Sequence, residues 1–300
     1  HDDFGEVRIG VGSQRAALKL VPPDTKPIED LEPLAAHALR RFLRAYSTLP
    51  NAPIAVYLRG FGQIQFTGED EAVMDLVRAL LAQLATAHGP GDVRIALCAS
   101  EKQLHRWDWL KWLPHHQDLE SRDAAGSRRL AASEIDEVEL LLGGPSFTGR
   151  PRFEPNTPIT ASEPFVVIVL DGVTAPADHR VAEEGYRNAV VLDVSGCLPW
   201  QDRPGTLFLE VTEDKVSTVT FDRLGKSKSK PLCTPDRLSE RGAAALARIM
   251  ARFRMGEANA EEEPTSADYD LAGLLGIGDV ATFDVDRYRR ERMSPKRRLR

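Results

Sequence analysis

Two places in this 300-residue chain carry side chains suited to phosphate and metal chemistry. Asp171 ends the apolar run Phe165-Val166-Val167-Ile168-Val169-Leu170, and the stretch Thr67 to Met74 joins a strand pattern to an amphipathic helix. Open α/β sheets bind ligands beyond the carboxyl ends of their strands. A carboxylate at such an end can hold Mg²⁺, and the free N–H groups that open a helix can hold an anion. A full phosphate loop, G-x-x-x-x-G-K-[ST], adds a lysine for the β- and γ-phosphates and a hydroxyl for the metal. The competing reading makes Asp171 a strand-end carboxylate satisfied by backbone N–H groups.

Other candidates are weaker. His105, His115 and His116 lie close in sequence without a carboxylate or cysteine at ligand spacing, so they are not expected to hold a metal. Ser195 lacks the Gly-x-Ser-x-Gly elbow and has no assignable histidine. Asp108 and Lys111, three apart, form at most a surface ion pair of little energetic value. Trp107, Trp109 and Trp112 read as core or as a docking surface, and Lys226 to Lys230 as a solvated loop. Cys98, Cys197 and Cys233 form neither a disulfide framework nor a zinc pattern, and this implies a reducing compartment.

The elements that must position these groups follow from periodicity. Val7, Ile9 and Val11 alternate as a short strand. Asp30 is placed to cap a helix carrying Leu31, Leu34, Ala35, Ala38, Leu39 and Phe42, closed by Pro50 and Pro53. Ile54 to Leu58 and Gln63 to Thr67 read as strands. Val73, Leu76, Val77, Leu80, Leu81 and Leu84 form one helical stripe, ended by Gly89-Pro90-Gly91, and Val93 to Cys98 returns as a strand. This βαβ unit predicts a parallel strand pair. Ser133 with Asp136 and Glu137 opens a helix through Leu142. Phe165 to Leu170 is a central strand covered on both faces, Asn188 to Val194 repeats the pattern, and Gly205 to Val211 with Ser217 to Phe221 forms a hairpin-like pair. A last helix starts at Thr234 to Glu240. The alternation predicts a three-layer α/β domain over about residues 50 to 255.

With 39 Lys/Arg against 45 Asp/Glu the net charge is −6, which does not favour nucleic acid. Eight of the basic residues fall between Arg287 and Arg300, a basic end that reads as a linker rather than a polyanion-binding tail. No apolar run approaches the ~20 residues of a membrane span.

Several stretches resemble FtsK/SpoIIIE-type motors and, more narrowly, the EccC family of type VII (ESX) secretion ATPases. They are Phe4-Gly5-Glu6-Val7-Arg8-Ile9-Gly10-Val11-Gly12, Leu31-Glu32-Pro33 with Ala38-Leu39-Arg40-Arg41-Phe42, Leu76 to His88 with Val93, and Leu274-Leu275-Gly276-Ile277-Gly278-Asp279. The most specific is Trp107-Asp108-Trp109-Leu110-Lys111-Trp112-Leu113-Pro114-His115 with Asp123-Ala124-Ala125-Gly126. The resemblance implies a RecA-like, P-loop NTPase-like three-layer sandwich with a mostly parallel central sheet. By position, the family's phosphate loop falls on Thr67-Gly68-Glu69-Asp70-Glu71-Ala72-Val73-Met74. Val73 then stands at the lysine and Met74 at the hydroxyl, while Glu69, Asp70 and Glu71 replace small residues. Asp171 matches the Mg²⁺-binding aspartate, but Gly172 stands where the family has its catalytic glutamate. The implied nucleotide site, on Thr67, Gly68, Glu69, Val73, Met74 and Asp171, is degenerate.

The resemblance further implies an organisation of residues 1–50 as an N-terminal attachment segment, 51–255 as the degenerate ATPase-like domain, and 256–300 as a linker and lead-in to the next ATPase module. The expected role is a membrane-proximal, non-hydrolytic coupling module on the cytoplasmic side of the plasma membrane. Its partners would be the secretion-core subunits EccB, EccD and EccE and the downstream ATPase modules of the same chain. No cofactor is required. The alternative is a genuine Mg-ATP-binding or hydrolysing domain with a non-standard loop, in which Asp171 still holds Mg²⁺.

Overall fold

The apolar run ending at Asp171 is strand β8 (Phe165–Asp171), and every residue of it is buried. Its alternating side chains divide between two cores. Phe165, Val167 and Val169 join one cluster with Leu76, Leu80 and Trp107, and Val166, Ile168 and Leu170 join another with Val138, Phe147 and Tyr186. A strand apolar on both faces needs a layer on each side, so three layers result.

The computed structural model describes residues 3–17, 20, 33–123, 126–160, 163–200, 203–222 and 224–253. The Asp30 cap and the segment from Gly256 to Arg300 lie outside the described residues. His1–Met255 forms one compact unit and Gly256–Arg300 a second. All the described elements belong to the first.

In chain order they are β1 (Glu6–Arg15), α1 (Pro33–Tyr46), β2 (Thr48–Tyr57), β3 (Gln63–Gly68), α2 (Asp70–Ala87), β4 (Val93–Ala99), a 3-10 segment (Leu104–Trp112), β5 (Gln117–Asp123), β6 (Gly126–Arg129), β7 (Ala131–Ala132), α3 (Ile135–Leu141) and α4 (Pro145–Thr148). After β8 come β9 (Ala189–Asp193), β10 (Thr206–Val211), β11 (Val216–Phe221), β12 (Ser227–Pro235) and α5 (Glu240–Met250).

One sheet of ten strands runs β2-β1-β12-β11-β10-β3-β9-β8-β4-β7, and β5 and β6 pair separately. From β10 to β7 the neighbours are parallel; from β10 back to β2 they are antiparallel. Along the sheet the parallel strands run β10-β3-β9-β8-β4, so that, ranked by their order in the chain, they read fifth, first, fourth, third, second, a RecA-like arrangement. The first core holds α2, the 3-10 segment and α5 against one face, and α3 and α4 cover the other.

Four expectations from periodicity are corrected. Strands β3 and β4 are parallel but not neighbours, because β9 and β8 stand between them. These two, buried along their whole length, take the positions where both faces are covered. The Lys226 to Lys230 stretch is not a loop: Ser227–Pro235 is β12, with Lys230 opposite Thr218 and Lys228 opposite Thr220. Backbone pairing holds it in the sheet while its polar side chains stay exposed. Pro50 and Pro53 do not close α1, which ends at Tyr46; both lie in β2 at the sheet's edge, where the missing N–H is tolerated. The last helix begins at Glu240, with the Ser239 hydroxyl accepting from the Gly242 N–H at 3.2 Å; Thr234 and Pro235 close β12.

Candidate functional site

The junction between β3 and α2 determines what can be bound. Strand β3 ends at Gly68 and α2 begins at Asp70, so Glu69 alone connects them. Gly68 has φ +118, and a Cβ there would lie 2.1 Å from the Val211 carbonyl oxygen of β10. The Glu69 N–H donates to that same oxygen at 2.9 Å, and the Glu69 carboxylate accepts from the Glu213 N–H at 3.0 Å. A phosphate loop works by leaving successive N–H groups pointing at an anion. In this chain Asp70 to Met74, the second part of the expected loop, are already helical: the Val73 N–H donates to the Glu69 carbonyl at 2.9 Å.

Val73 and Met74 are 2% and 1% exposed and belong to the first core. The three acidic residues are less repulsive than their sequence suggests. Asp70 pairs with Arg106 at 2.8 Å and Glu71 with Arg78 at 3.2 Å, and both acids sit in the first turn of α2, where the helix dipole favours them. The helix N-terminus is therefore complemented by its own carboxylates. Lost loop geometry, more than charge, removes the cradle.

Asp171 is fully buried. Its Oδ2 accepts a hydrogen bond from Trp107 Nε1 at 2.8 Å and lies 3.9 Å from Arg106 Nη1. Its Oδ1 has no hydrogen-bond partner among the described residues. Two side chains of the 3-10 segment thus replace the backbone N–H groups expected at this carboxylate. Trp107 lies in the core with Trp109, whereas Trp112 is 39% exposed. Arg106 links Asp70 at the mouth of α2 to Asp171 at the end of β8. Next to it, Gly172 has φ +67, and a Cβ there would meet Ser100 Oγ at 2.7 Å and Gln103 Cγ at 2.9 Å. A glutamate side chain at this position has no room without movement of its neighbours.

A cavity of about 370 Å³ opens beside this junction, lined by Phe66, Thr67, Gly68, Asp70, Val73, Val194, Ser195, Gly196 and Trp200. Among the described residues no lysine or arginine lines it. The structure thus brings Thr67, Gly68 and Val73 to one cavity, sends Met74 to the core, fixes Glu69 against Glu213 and seals Asp171 behind Arg106 and Trp107. The residues do not fit Mg-ATP. The positions expected for the lysine and hydroxyl carry apolar side chains, a single residue joins strand to helix where a loop would be needed, and Asp171 Oδ2 is already engaged.

Ser195 has no nucleophile geometry. Its Oγ accepts from the Gly172 N–H at 2.6 Å, and its loop is held by the Asp193 carboxylate, which accepts from Cys197 and Leu198 N–H groups, each at 2.8 Å. Burial pushes the Cys98 thiol up to about 12, which keeps it protonated and inert. The three histidines bond to separate backbone carbonyls: His105 to Lys102 at 2.8 Å, His115 to His88 at 2.8 Å and His116 to Ile95 at 2.9 Å.

His116 supplies a pH prediction. Burial lowers its pKa from 6.5 to about 4, against the raising effect of its bond to Ile95. Between those values the unfolded chain binds a proton that the folded chain refuses. The contribution is therefore intact above about pH 6.5 and is lost progressively as pH falls to 4, with a maximum of about 3 kcal/mol. Urea midpoints measured over this range are expected to fall with pH, and the slope to flatten in His116→Gln.

One cluster escaped the sequence reading. Asp136, Glu139 and His179 bring ligand-type atoms within 4.8 Å of one another. Asp136 and Glu139 share α3 with the expected spacing, but His179 lies in a distant loop, so no local signal links them. The Val181 N–H donates to His179 Nδ1 at 3.2 Å, His179 Nε2 faces Asp136 Oδ1 at 3.2 Å, and the Tyr186 hydroxyl donates to Glu139 Oε1 at 2.6 Å. With Nδ1 accepting, Nε2 carries the proton, so the ring is a donor to Asp136 and not a metal ligand.

No family model matches the chain. It is 43% identical over 94% of its length to the ESX secretion system protein EccC of Thermomonospora curvata. In Mycobacterium tuberculosis it is 31% identical over 95% of its length to the ESX-5 secretion system protein EccC5, and 32% over 94% to the ESX-4 secretion system protein EccC4. The chain spans about a fifth of the length of these relatives, 21%, 21% and 19% respectively. Among solved structures, the cytoplasmic domain of the Thermomonospora curvata type VII secretion ATPase EccC aligns with a TM-score of 0.42 at 16% identity, over 70% of this chain and 30% of that one.

Proposed function

From its likeness to EccC proteins of ESX secretion systems across 94% of its length, we propose that this chain is a module of a type VII secretion ATPase whose own nucleotide site is degenerate, and that it serves as a coupling and docking element rather than a motor. Residues 51–255 form the ATPase-like module in this reading, 1–50 attach it to what precedes, and 256–300 lead to the next module. Its place is the inner face of the plasma membrane, and its partners are the core subunits EccB, EccD and EccE together with the downstream ATPase modules. No helix among the described residues is long and apolar enough to cross a membrane.

The observation that supports this most directly is the occupation of Asp171 by Trp107 and Arg106. A Mg²⁺ ion needs that carboxylate free and facing the phosphates. Here its Oδ2 is held by an indole N–H and neighboured by a guanidinium that also reaches Asp70. Arg106 places a positive charge close to where the metal would sit, so metal binding would require it to leave.

Calorimetric titration with Mg-ATP and a phosphate-release assay test the reading. The expected result is no saturable heat and no turnover above buffer, in the wild-type chain and in Arg106→Ala alike, since the loop remains absent in both. Micromolar binding, with turnover abolished by Asp171→Ala, would establish the alternative of a working nucleotide site.

A further inference from the structure

Among the described residues, helix α1 leaves an apolar face without a partner. Among its described side chains only Ala36 is buried, and Leu39 and Leu43 are half-buried against the rest of the chain. Leu34, Phe42 and Tyr46 are 78%, 51% and 63% exposed, and the Phe42 and Tyr46 rings sit 4.6 Å apart. At 3.6 residues per turn, Leu34, Ala35, Ala38, Phe42, Ala45 and Tyr46 lie on one continuous side of the helix. His37, Arg40, Arg41 and Arg44 gather on about a third of the circumference flanking that side, with Arg41 about 20° from Leu34, and the buried Ala36 faces away from both.

The charge around this face is as uneven as its polarity. The chain carries −6, yet residues 33–68 contain no Asp or Glu. Among the described residues, none of the three arginines of α1 has an acidic partner. Leu49, at the start of the adjoining β2, is 52% exposed and extends the apolar patch. A helix with a basic face, an exposed aromatic and aliphatic face and little overall hydrophobicity has the composition that lies in the headgroup region of an anionic bilayer. There the rings reach the acyl boundary and the arginine stems let their charges stay with the phosphates.

We propose that α1 docks onto anionic lipid, with Leu34, Phe42 and Tyr46 inserted and Arg40, Arg41 and Arg44 on the headgroups. Docked in this way, α1 fixes the orientation of the domain on the bilayer. This inference rests on the charge and exposure of α1 and not on the EccC reading. A second copy is a poorer occupant, since a symmetric contact would face three arginines with three more.

Flotation of the whole chain with vesicles of phosphatidylglycerol and phosphatidylcholine in equal parts, against phosphatidylcholine alone, tests it. Binding is expected only to the anionic vesicles, weakening as salt rises. Removing each arginine is expected to cost about five-fold in affinity, so that the Arg40→Ser, Arg41→Ser, Arg44→Ser triple variant loses about a hundred-fold. Phe42→Ser is also expected to weaken binding, and these exposed changes to leave thermal stability unaltered. Equal flotation with the neutral vesicles would overturn the proposal. So would unchanged anionic binding in the triple variant, which would move the contact to the basic stretch from Arg287 to Arg300. Self-association abolished by Phe42→Ser would overturn it in favour of a second copy.

Discussion

Replacing Trp107 with alanine is expected to destabilise the chain by about 4 kcal/mol, in the range for large aromatic truncations in cores. Trp107 is 2% exposed in the first core, and its indole N–H holds Asp171 Oδ2. Truncation therefore leaves a cavity and strips a buried carboxylate whose other oxygen is already unpartnered. Trp107→Phe separates the two effects: it keeps most of the ring volume and loses the hydrogen bond to a charged acceptor, which is worth about 2 kcal/mol. Urea unfolding should place phenylalanine about midway between wild type and alanine. In thermal unfolding the alanine variant should melt roughly 10 °C earlier. If both substitutions cost less than about 1 kcal/mol, the Trp107–Asp171 contact does not hold the 3-10 segment onto the sheet, and the sealed site described above is not the populated state.

The second large effect concerns an attempt to rebuild the phosphate loop. In the EccC-type pattern Val73 and Met74 stand at the lysine and the hydroxyl, which invites the double substitution Val73→Lys, Met74→Thr. The expected result is loss of stability without gain of nucleotide binding. Met74 is 1% exposed among apolar neighbours, so Met74→Thr alone deletes buried volume and introduces a hydroxyl there, at a cost of about 3 kcal/mol. Val73 borders the cavity beside Gly68, and a lysine there could reach solvent, so its cost is smaller. Neither change lengthens the one-residue connection at Glu69 or frees the Val73 N–H from the Glu69 carbonyl. Chemical denaturation gives the stability, and a Mg-ATP titration of the refolded double variant gives the binding. Micromolar affinity would show that residue identity, and not backbone geometry, is what the site lacks.

The charge argument and the geometric argument lead the same way but carry different weight. Asp70 and Glu71 are 70% and 74% exposed at their side chains and are already paired with arginines that are 13% and 3% exposed, so solvent and partner both screen their charge. Their repulsion of a phosphate is correspondingly screened. The absent loop is not a matter of degree. Gly68 must lie against the Val211 carbonyl for β3 and β10 to pair in register, and a wider turn there would separate those strands.

Much of this was legible beforehand wherever a local pattern decides. The apolar run into Asp171 sets a doubly covered strand, the spacing from Val73 to Leu84 sets α2, and the hairpin of β10 and β11 follows from two alternating segments close in sequence. The absence of a lysine at 73, of a hydroxyl at 74 and of a glutamate at 172 is likewise written in the residues. The polar segment Ser227–Pro235 was misread because strand formation there comes from backbone pairing with β11, and its exposed Lys and Ser side chains carry no apolar signal.

What the tertiary structure alone decided is which distant groups meet. Trp107 and Asp171 are 64 residues apart, Arg106 and Asp70 are 36 apart, and β9 with β8 separates two strands that a local reading would pair. Amino-acid order governs the interactions a segment has with itself, because helical and pleated periods are properties of short stretches. Neighbour relations across a sheet depend instead on which surfaces compete most strongly for burial once the whole chain has closed, and that competition placed an indole and a guanidinium at the Asp171 carboxylate.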